Sequence, residues 1–321
     1  KMYIDTASRG LVYIEDVPKD QTLRLIQSLA DYSGQTINRT TQYVTLEMPI
    51  HGCMNGERFT AQIPPLTPLP SFTLRKKPKV VFPMESYVES GRMTQEQFDS
   101  IVEAVQPGTL EDGNVVLDKI YGDKVLSGEM ADLSKQSRLS EFPKNVVFCG
   151  GPGSGKTAAL NSALKKAVEL NGNQRWIYIE KAMSEVQCRA ENVQQFIAND
   201  VISMSKCVEI AMVSRPDRVI IGETKGAETL DMVKIWNTGT PGGMSTVHAN
   251  NPRECFQRIG DLCMEAGLLT PPWNLIMMTI DVIVWVGKMG SQKGYIREVI
   301  FNKGSEHEET KFLEKIKLEK F

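Results

Sequence analysis

The 321-residue chain has little cysteine, little histidine and no long hydrophobic run. Its six cysteines show no CxxC spacing, and a chain of this length does not depend on disulfide bonds for stability. We therefore expect reduced, mostly packed thiols. The longest apolar stretch, Leu275 to Gly287, is short and contains Asp281, so it is not typical of a membrane-spanning helix.

The chain also lacks an excess of charge of either sign. Thirty-seven Lys and Arg residues face 39 Asp and Glu residues, which gives a net charge of −2. A general nucleic-acid binder needs a basic surface that displaces counterions, so no specific nucleic-acid partner is predicted. The first residues lack a basic segment followed by an apolar one, as a secretion signal would have. These features predict a soluble intracellular protein.

The pattern of apolar residues divides the chain into three parts. Residues 1–80 have short β-branched runs around one amphipathic helix, which predicts a small α+β domain. Residues 81–144 begin with a helical segment and continue, from Gln106, as a polar, weakly periodic insertion. Residues 145–321 alternate apolar strands with helices, which predicts an α/β domain with a mostly parallel sheet.

A phosphate-binding loop occupies residues 150–157, whose sequence GGPGSGKT satisfies GxxxxGK[ST] between a strand and a helix. Glycines let backbone N–H groups curl around phosphate oxygens, and the helix N-terminus adds partial positive charge. Lys156 is expected to reach the β- and γ-phosphates, and the Thr157 hydroxyl is expected to bind Mg²⁺. The predicted nucleotide contacts are Gly151, Gly153, Ser154, Gly155, Lys156, Thr157 and Ala158.

Two further positions point to nucleotide chemistry. Glu223 follows the apolar strand around Val219, which places its carboxylate at the carboxyl edge of the sheet beside the phosphates. There it can orient a water molecule or bind the Mg²⁺ shell, although Gly222 stands where a Walker B Asp is usual. His248 follows a Gly-rich turn and a short strand, and in isolation it fits a structural role as well as a catalytic one.

Together these motifs resemble the secretion ATPases of type II and type IV secretion systems, most closely the TrbB-like conjugal-transfer ATPases. The resemblance covers nearly the whole chain except the insertion. It is carried, besides the phosphate loop, by residues 55–59 (NGERF), 63–66 (IPPL), 72–76 (FTLRK), 215–218 (RPDR), 222–223 (GE), 234–239 (KIWNTG) and 245–250 (STVHAN).

The resemblance implies a RecA-like P-loop domain that hydrolyses ATP with Mg²⁺ between two domains. Glu223 would act on the attacking water and join Thr157 at the metal, and His248 would sense the γ-phosphate. Arg58 and Arg75 match arginines that reach the nucleotide in related enzymes. The family forms homohexamers on the cytoplasmic face of the bacterial inner membrane, where they dock on other secretion proteins.

Two departures from the family pattern affect the expected chemistry. The acidic segment that usually reads Ile-Glu-Asp has Lys181 in place of the Asp, so either Glu180 or Glu185 could supply the carboxylate. After Glu223, Lys225 replaces the usual Arg and keeps the charge without the bidentate fork. Nucleotide binding is expected to persist, whereas these substitutions bear on the rate of hydrolysis.

Other functions remain open on the sequence alone. A nucleotide-gated assembly module would bind ATP with negligible turnover, as the altered acidic segment allows. A pilus extension or retraction motor belongs to the same superfamily, but the 63–65 and 236–239 segments favour the conjugal branch. A nucleic-acid translocase ranks lower, and DNA-stimulated turnover with steep salt dependence would identify it.

Overall fold

A computed structural model of the protein describes residues 1–6, 10–51, 54–76, 80–106, 143–181, 185–199, 201–290 and 292–302. The predicted insertion, apart from its first and last residues, and the Lys- and Glu-rich tail lie outside these ranges. The chain divides into two compact units, residues 1–79 and 80–321. The two helices at the start of the expected 81–144 segment group with the larger unit.

The smaller unit contains a helix, a three-stranded antiparallel sheet and two hairpins. Its apolar core lies between the helix and the three-stranded sheet, whose order is β3-β6-β7, and includes Ile26, Val44 and Phe59. The elements are β1 (Met2–Thr6), β2 (Gly10–Glu15), α1 (Lys19–Tyr32), β3 (Tyr43–Glu47), β4 (Ile50–His51), β5 (Met54–Asn55), β6 (Arg58–Gln62) and β7 (Ser71–Arg75).

The larger unit is built on a seven-stranded sheet in the order β10-β9-β11-β12-β8-β13-β14. All neighbouring strands pair in parallel except β14, which is antiparallel to β13. This confirms the predicted α/β fold with a mostly parallel sheet. The strands are β8 (Val146–Gly150), β9 (Trp176–Lys181), β10 (Val193–Ala198), β11 (Arg218–Ile221), β12 (Met244–His248), β13 (Val282–Met289) and β14 (Gln292–Phe301).

Helices cover both faces of this sheet, and alternate strand residues enter two separate cores. On β8, Val147 and Cys149 face one core while Val146 and Phe148 face the other. The helices are α2 (Glu85–Glu89), α3 (Gln95–Val105), α4 (Lys156–Leu170), α5 (Met204–Val213), α6 (Glu228–Asn237), α7 (Pro252–Met264) and α8 (Trp273–Thr279). None of the described helices is long and apolar enough to cross a membrane.

The parallel arrangement brings the motif residues to one edge of the sheet. The phosphate loop follows β8, residues 222–223 follow β11, and His248 ends β12 opposite Gly150 of β8. Because parallel strands end at the same edge, residues far apart in sequence meet there. Five cysteines lie in the described residues as free thiols, four of them buried.

Candidate functional site

The phosphate loop adopts a backbone that only glycine takes readily at two positions. Gly153 has φ 64° and Gly155, the residue before α4, has φ 99°. Positive φ at these points turns the chain sharply, so that the first N–H groups of α4 point into the loop. The sequence GGPGSGKT thus forms a cradle of backbone donors at a helix N-terminus, as an anion site requires.

Lys156 is buried at the start of α4, and its ammonium spans the loop. Nζ donates to the carbonyl oxygen of Gly151 at 3.1 Å and lies 3.2 Å from Nδ1 of His248. Burial lowers the pKa of Lys156, while the carboxylates of Glu223 and Glu185 oppose that change. The ammonium is therefore held in a partly desolvated position, where its charge acts strongly on an anion.

His248 connects Lys156 to Glu223. Since an ammonium can only donate, Nδ1 of His248 accepts from Lys156, and the ring proton lies on Nε2. Nε2 donates to Oε1 of Glu223 at 2.7 Å. Burial and the charge of Lys156 lower the pKa of His248, and Glu223 partly offsets them. At neutral pH the imidazole is uncharged, with its tautomer fixed by its two neighbours.

Glu223 lies two residues beyond β11 and uses both carboxylate oxygens. Oε1 accepts from His248, and Oε2 pairs with Nζ of Lys225 at 2.7 Å. The carboxylate is about one-third exposed, with a relative side-chain exposure of 31%. Lys225, one of the two departures from the family pattern, thus contacts the acid directly.

Glu180 packs against Gly222, the residue that stands where a Walker B Asp is usual. It is buried at the end of β9, and its Oε1 accepts backbone N–H bonds from Glu185 and Val186 at 2.8 and 2.9 Å. A β-carbon placed on Gly222 would lie 3.0 Å from Cγ and Oε1 of Glu180. Glycine at 222 is therefore explained by the neighbouring carboxylate, which fixes the 185–186 backbone.

Glu185 differs from Glu180 in its surroundings. Its side chain is half-buried, and its charge raises the pKa of Lys156. The charge of Glu185 thus acts on the loop lysine, while the Glu180 carboxylate holds the backbone of residues 185 and 186.

Two hydroxyl groups of the loop are available to a ligand. Oγ of Ser154 is buried without a hydrogen-bond partner, which is costly unless a ligand supplies one. The side chain of Thr157 is half-buried in the first turn of α4 and has no hydrogen bond within the described residues. Ala158 follows it and is exposed. A hard oxygen donor beside a phosphate cradle suits Mg²⁺.

A cleft of about 450 Å³ opens beside the first residues of the loop. Its lining includes Gly151, Pro152, His248 and Arg258. His248 thus belongs both to the cleft lining and to the contact with Lys156, and α7 contributes Arg258 to the lining.

Arg58 and Arg75 lie in the smaller unit. Arg58 is half-buried on β6, opposite Glu47 of β3 on one side and Arg75 of β7 on the other. Their adjacency gathers two guanidinium groups on one sheet, which the sequence motifs alone do not predict.

Comparison with known proteins places these features in a family. The sequence profile of the family described as "Type II/IV secretion system protein" matches residues 124–288. The conjugal transfer protein TrbB of Rhizobium radiobacter is 28% identical over 304 residues, covering 95% of this chain and 81% of that protein. A probable conjugal transfer protein TrbB of Sinorhizobium fredii is 27% identical over 284 residues, covering 88% of this chain and 75% of that protein.

A solved structure supports the fold. The X-ray structure of the Legionella pneumophila ATPase DotB superposes with a TM-score of 0.58 at 16% identity, covering 96% of this chain and 78% of that one. At this identity the likeness concerns the fold alone. The family match, which spans the phosphate loop, Glu223 and His248, carries the assignment. The chain belongs to the type II/IV secretion system protein family.

Proposed function

We propose that the protein hydrolyses ATP with Mg²⁺ and thereby powers a bacterial conjugation or type IV secretion apparatus. The observation that carries the proposal is the chain of contacts Lys156–His248–Glu223 at the phosphate loop. It joins a phosphate-binding cation to a carboxylate through one neutral imidazole. Relatives named as conjugal transfer proteins support the choice of apparatus.

The loop residues would bind the triphosphate. Backbone N–H groups of residues 151 and 153–157 and the hydroxyl of Ser154 would contact phosphate oxygens, and Lys156 would exchange the Gly151 carbonyl for the β- and γ-phosphates. Thr157 and, through water, Glu223 would hold Mg²⁺. The metal would neutralise charge that develops on the phosphate oxygens.

Glu223 would act as the base. A water molecule attacks the γ-phosphorus, the bond to the β-phosphate oxygen breaks, and Glu223 receives the proton of the water, leaving ADP and inorganic phosphate. His248 would hold the orientation of Glu223 through its Nε2–H. It would respond to a bound γ-phosphate, because its Nδ1 loses the hydrogen bond from Lys156 when the ammonium moves to the phosphate. Of the two acids near residue 181, we assign the second carboxylate of the site to Glu185, since its charge acts on Lys156.

The proposal extends to assembly. A homohexamer peripheral to the cytoplasmic face of the inner membrane, docked on other secretion proteins, would place ATP between the smaller and larger units. Arg58 and Arg75 would then stabilise phosphate charge, because guanidinium forks match phosphate oxygens. Their position opposite one another supports a joint role.

One observation favours a second candidate, a nucleotide-gated assembly module with little turnover. Both oxygens of Glu223 are engaged, one by His248 and one by Lys225, and these contacts compete with an attacking water for the carboxylate. If ATP binding does not free the Glu223 carboxylate from these contacts, ATP binding without hydrolysis would control assembly.

Steady-state phosphate release from the purified chain with Mg·ATP tests the proposal. Lys156→Ala and Glu223→Gln should abolish turnover, and only Lys156→Ala should also lose most of the ATP affinity. Glu209→Gln, an exposed acid on α5 paired with Lys206, is the matched control. Light scattering on the same samples should give a particle near six subunits.

Tight ATP binding without turnover in the unmodified chain would contradict the hydrolase and support the assembly module. A particle that stays monomeric with Mg·ATP at all concentrations would contradict the ring. Turnover in Lys156→Ala equal to that of the unmodified chain would show that the phosphate loop is not the site of hydrolysis.

A further inference from the structure

The β13–β14 hairpin forms one wall of the phosphate loop. The N–H of Gly294 on β14 donates to the carbonyl oxygen of Ser154 at 2.8 Å. A β-carbon on Gly155 would lie 3.1 Å from the backbone of Gly294, and one on Gly150 would lie 2.2 Å from the carbonyl oxygen of Val286. Such close approach fixes the hairpin against the loop, so side chains on the hairpin have defined positions relative to a bound phosphate.

Lys288 projects from this hairpin to the loop. Its Nζ lies 3.6 Å from the position that a β-carbon on Gly153 would take. Both residues are exposed, so the ammonium lies over the open side of the loop. Within the described residues, Lys288 makes no side-chain hydrogen bond or ion pair. A lysine ammonium at a phosphate loop without a protein anion is a site for a ligand anion.

The cross-strand partner of Lys288 carries the same charge. Lys293 of β14 pairs directly with Lys288 of β13, and like charges at opposed positions destabilise a sheet. Lys293 likewise has no ion pair within the described residues. Arg297, a few residues further along β14, is exposed and donates to the Lys288 carbonyl, adding positive charge to the same hairpin. An anion between the lysines and the loop would relieve this repulsion.

The position along the loop indicates which phosphate is concerned. Lys156 and His248 meet at Gly151, whereas Lys288 lies at Gly153. The backbone of a Gly-rich loop cradles the α- and β-phosphates, and Lys288 lies at a glycine of that backbone. An anion bound there would be a phosphate that ADP and ATP share.

We propose that Lys288 is a nucleotide-positioning residue that contacts the α- or β-phosphate from the β13–β14 hairpin. This inference rests on the nucleotide binding of the proposed function. It concerns affinity for the diphosphate, not hydrolysis, so ADP as well as ATP should depend on it. The hairpin would thereby contribute to holding the product after phosphate leaves.

The test compares Lys288→Gln with Lys234→Gln, which removes the same charge from an exposed position on α6. Isothermal titration with Mg·ATP and Mg·ADP at two salt concentrations gives Kd for each protein. Lys288→Gln should raise Kd by about tenfold for both nucleotides, as loss of one charge-assisted contact predicts. Its Kd should also depend less steeply on salt, Lys288→Arg should restore most of the affinity, and Lys234→Gln should stay within about twofold.

Thermal unfolding without nucleotide separates a binding role from a structural one. Since Lys288→Gln removes one of two facing cations, the nucleotide-free variant should unfold at the same or a higher temperature. A lower unfolding temperature together with weaker binding would overturn the proposal. A Kd within twofold of the unmodified chain, or a loss confined to ATP, would also overturn it. Tight ATP binding without hydrolysis in the unmodified chain would contradict the proposed hydrolase and leave this test intact.

Discussion

The carboxyl group of Asp281 should make the larger unit less stable at neutral pH than at mildly acidic pH. Asp281 lies at the amino end of β13, opposite the edge that carries the phosphate loop. Burial raises its pKa from the ordinary value of 3.8 to about 6, although a bond from the backbone N–H of Asn145 at 2.7 Å and the charge of Lys144 oppose the change. The folded protein therefore holds this proton more tightly than the unfolded chain.

The direction of the pH effect follows from that difference. Below about pH 4 the group is protonated in both states and costs nothing. Between about pH 4 and 6 the unfolded chain releases the proton first, so stability falls as pH rises, and above pH 6 the cost stays constant. A rise from 3.8 to about 6 corresponds to about 3 kcal/mol at 1.36 kcal/mol per pKa unit.

Asp281→Asn removes the charge and keeps an oxygen that can accept from Asn145. The new amide N–H₂ needs an acceptor, which reduces the gain, so the variant should be more stable by about 1–2 kcal/mol at pH 7.5. At pH 4 its stability should equal that of the unmodified chain or fall slightly below it.

Urea unfolding at several pH values, followed by tryptophan fluorescence, measures this effect. All four tryptophans of the chain, at 176, 236, 273 and 285, lie in the larger unit, so the signal reports that unit. A variant that is less stable than the unmodified chain at pH 7.5, or whose stability falls as steeply between pH 4 and 6, would refute the reasoning.

Three further predictions concern packing and charge within the larger unit. Gly222→Ala should lower the free energy of unfolding by about 1–3 kcal/mol, because the new methyl group meets the Glu180 carboxylate; Gly172→Ala, whose methyl has room, should have little effect in the same urea titration. Glu180→Gln should lower the free energy of unfolding by about 1 kcal/mol, since it weakens two charge-assisted hydrogen bonds. Glu185→Gln should lower ATP turnover more than it lowers stability. A larger loss of turnover in Glu180→Gln and a larger loss of stability in Glu185→Gln would contradict our choice between the acids. Arg218→Lys should cost about 2 kcal/mol in urea unfolding, because an ammonium cannot replace a fully buried guanidinium that bonds two separate acceptors; an unchanged midpoint would show that the fork is dispensable.

The parts of the site that lie in one continuous sequence motif are predicted from the sequence. The phosphate loop is one continuous motif whose glycines, lysine and threonine have fixed offsets, so its conformation follows from eight residues. The strands around Val146, Ile177, Val219 and Val282 are buried on both faces and appear as apolar runs. The parallel sheet follows from their alternation with helices.

Edge strands are less visible in the sequence. Strand β10 contains two glutamines and β14 is rich in charge, because each has only one neighbour and an exposed face. Neither is predicted from periodicity, since partial exposure removes the apolar pattern.

Motifs also do not predict contacts between residues that are far apart in sequence. Lys288 approaches Gly153 only because β13 lies beside β8 in the sheet. The different surroundings of Glu180 and Glu185 are likewise set by the fold, in which the backbone N–H groups of residues 185 and 186 donate to the Glu180 carboxylate. Sequence spacing cannot show this, because the two backbone N–H bonds to Glu180 exist only in the folded chain.

The most direct test of the central claim is a single-turnover measurement of ATP hydrolysis with the protein in excess over radiolabelled Mg·ATP. The account predicts that the unmodified chain converts bound ATP to ADP and phosphate. Glu223→Gln should bind ATP with similar affinity and hydrolyse it at least about 100-fold more slowly, as expected when a general base is removed. Hydrolysis by Glu223→Gln at the rate of the unmodified chain would contradict the assignment of Glu223 and the mechanism built on it.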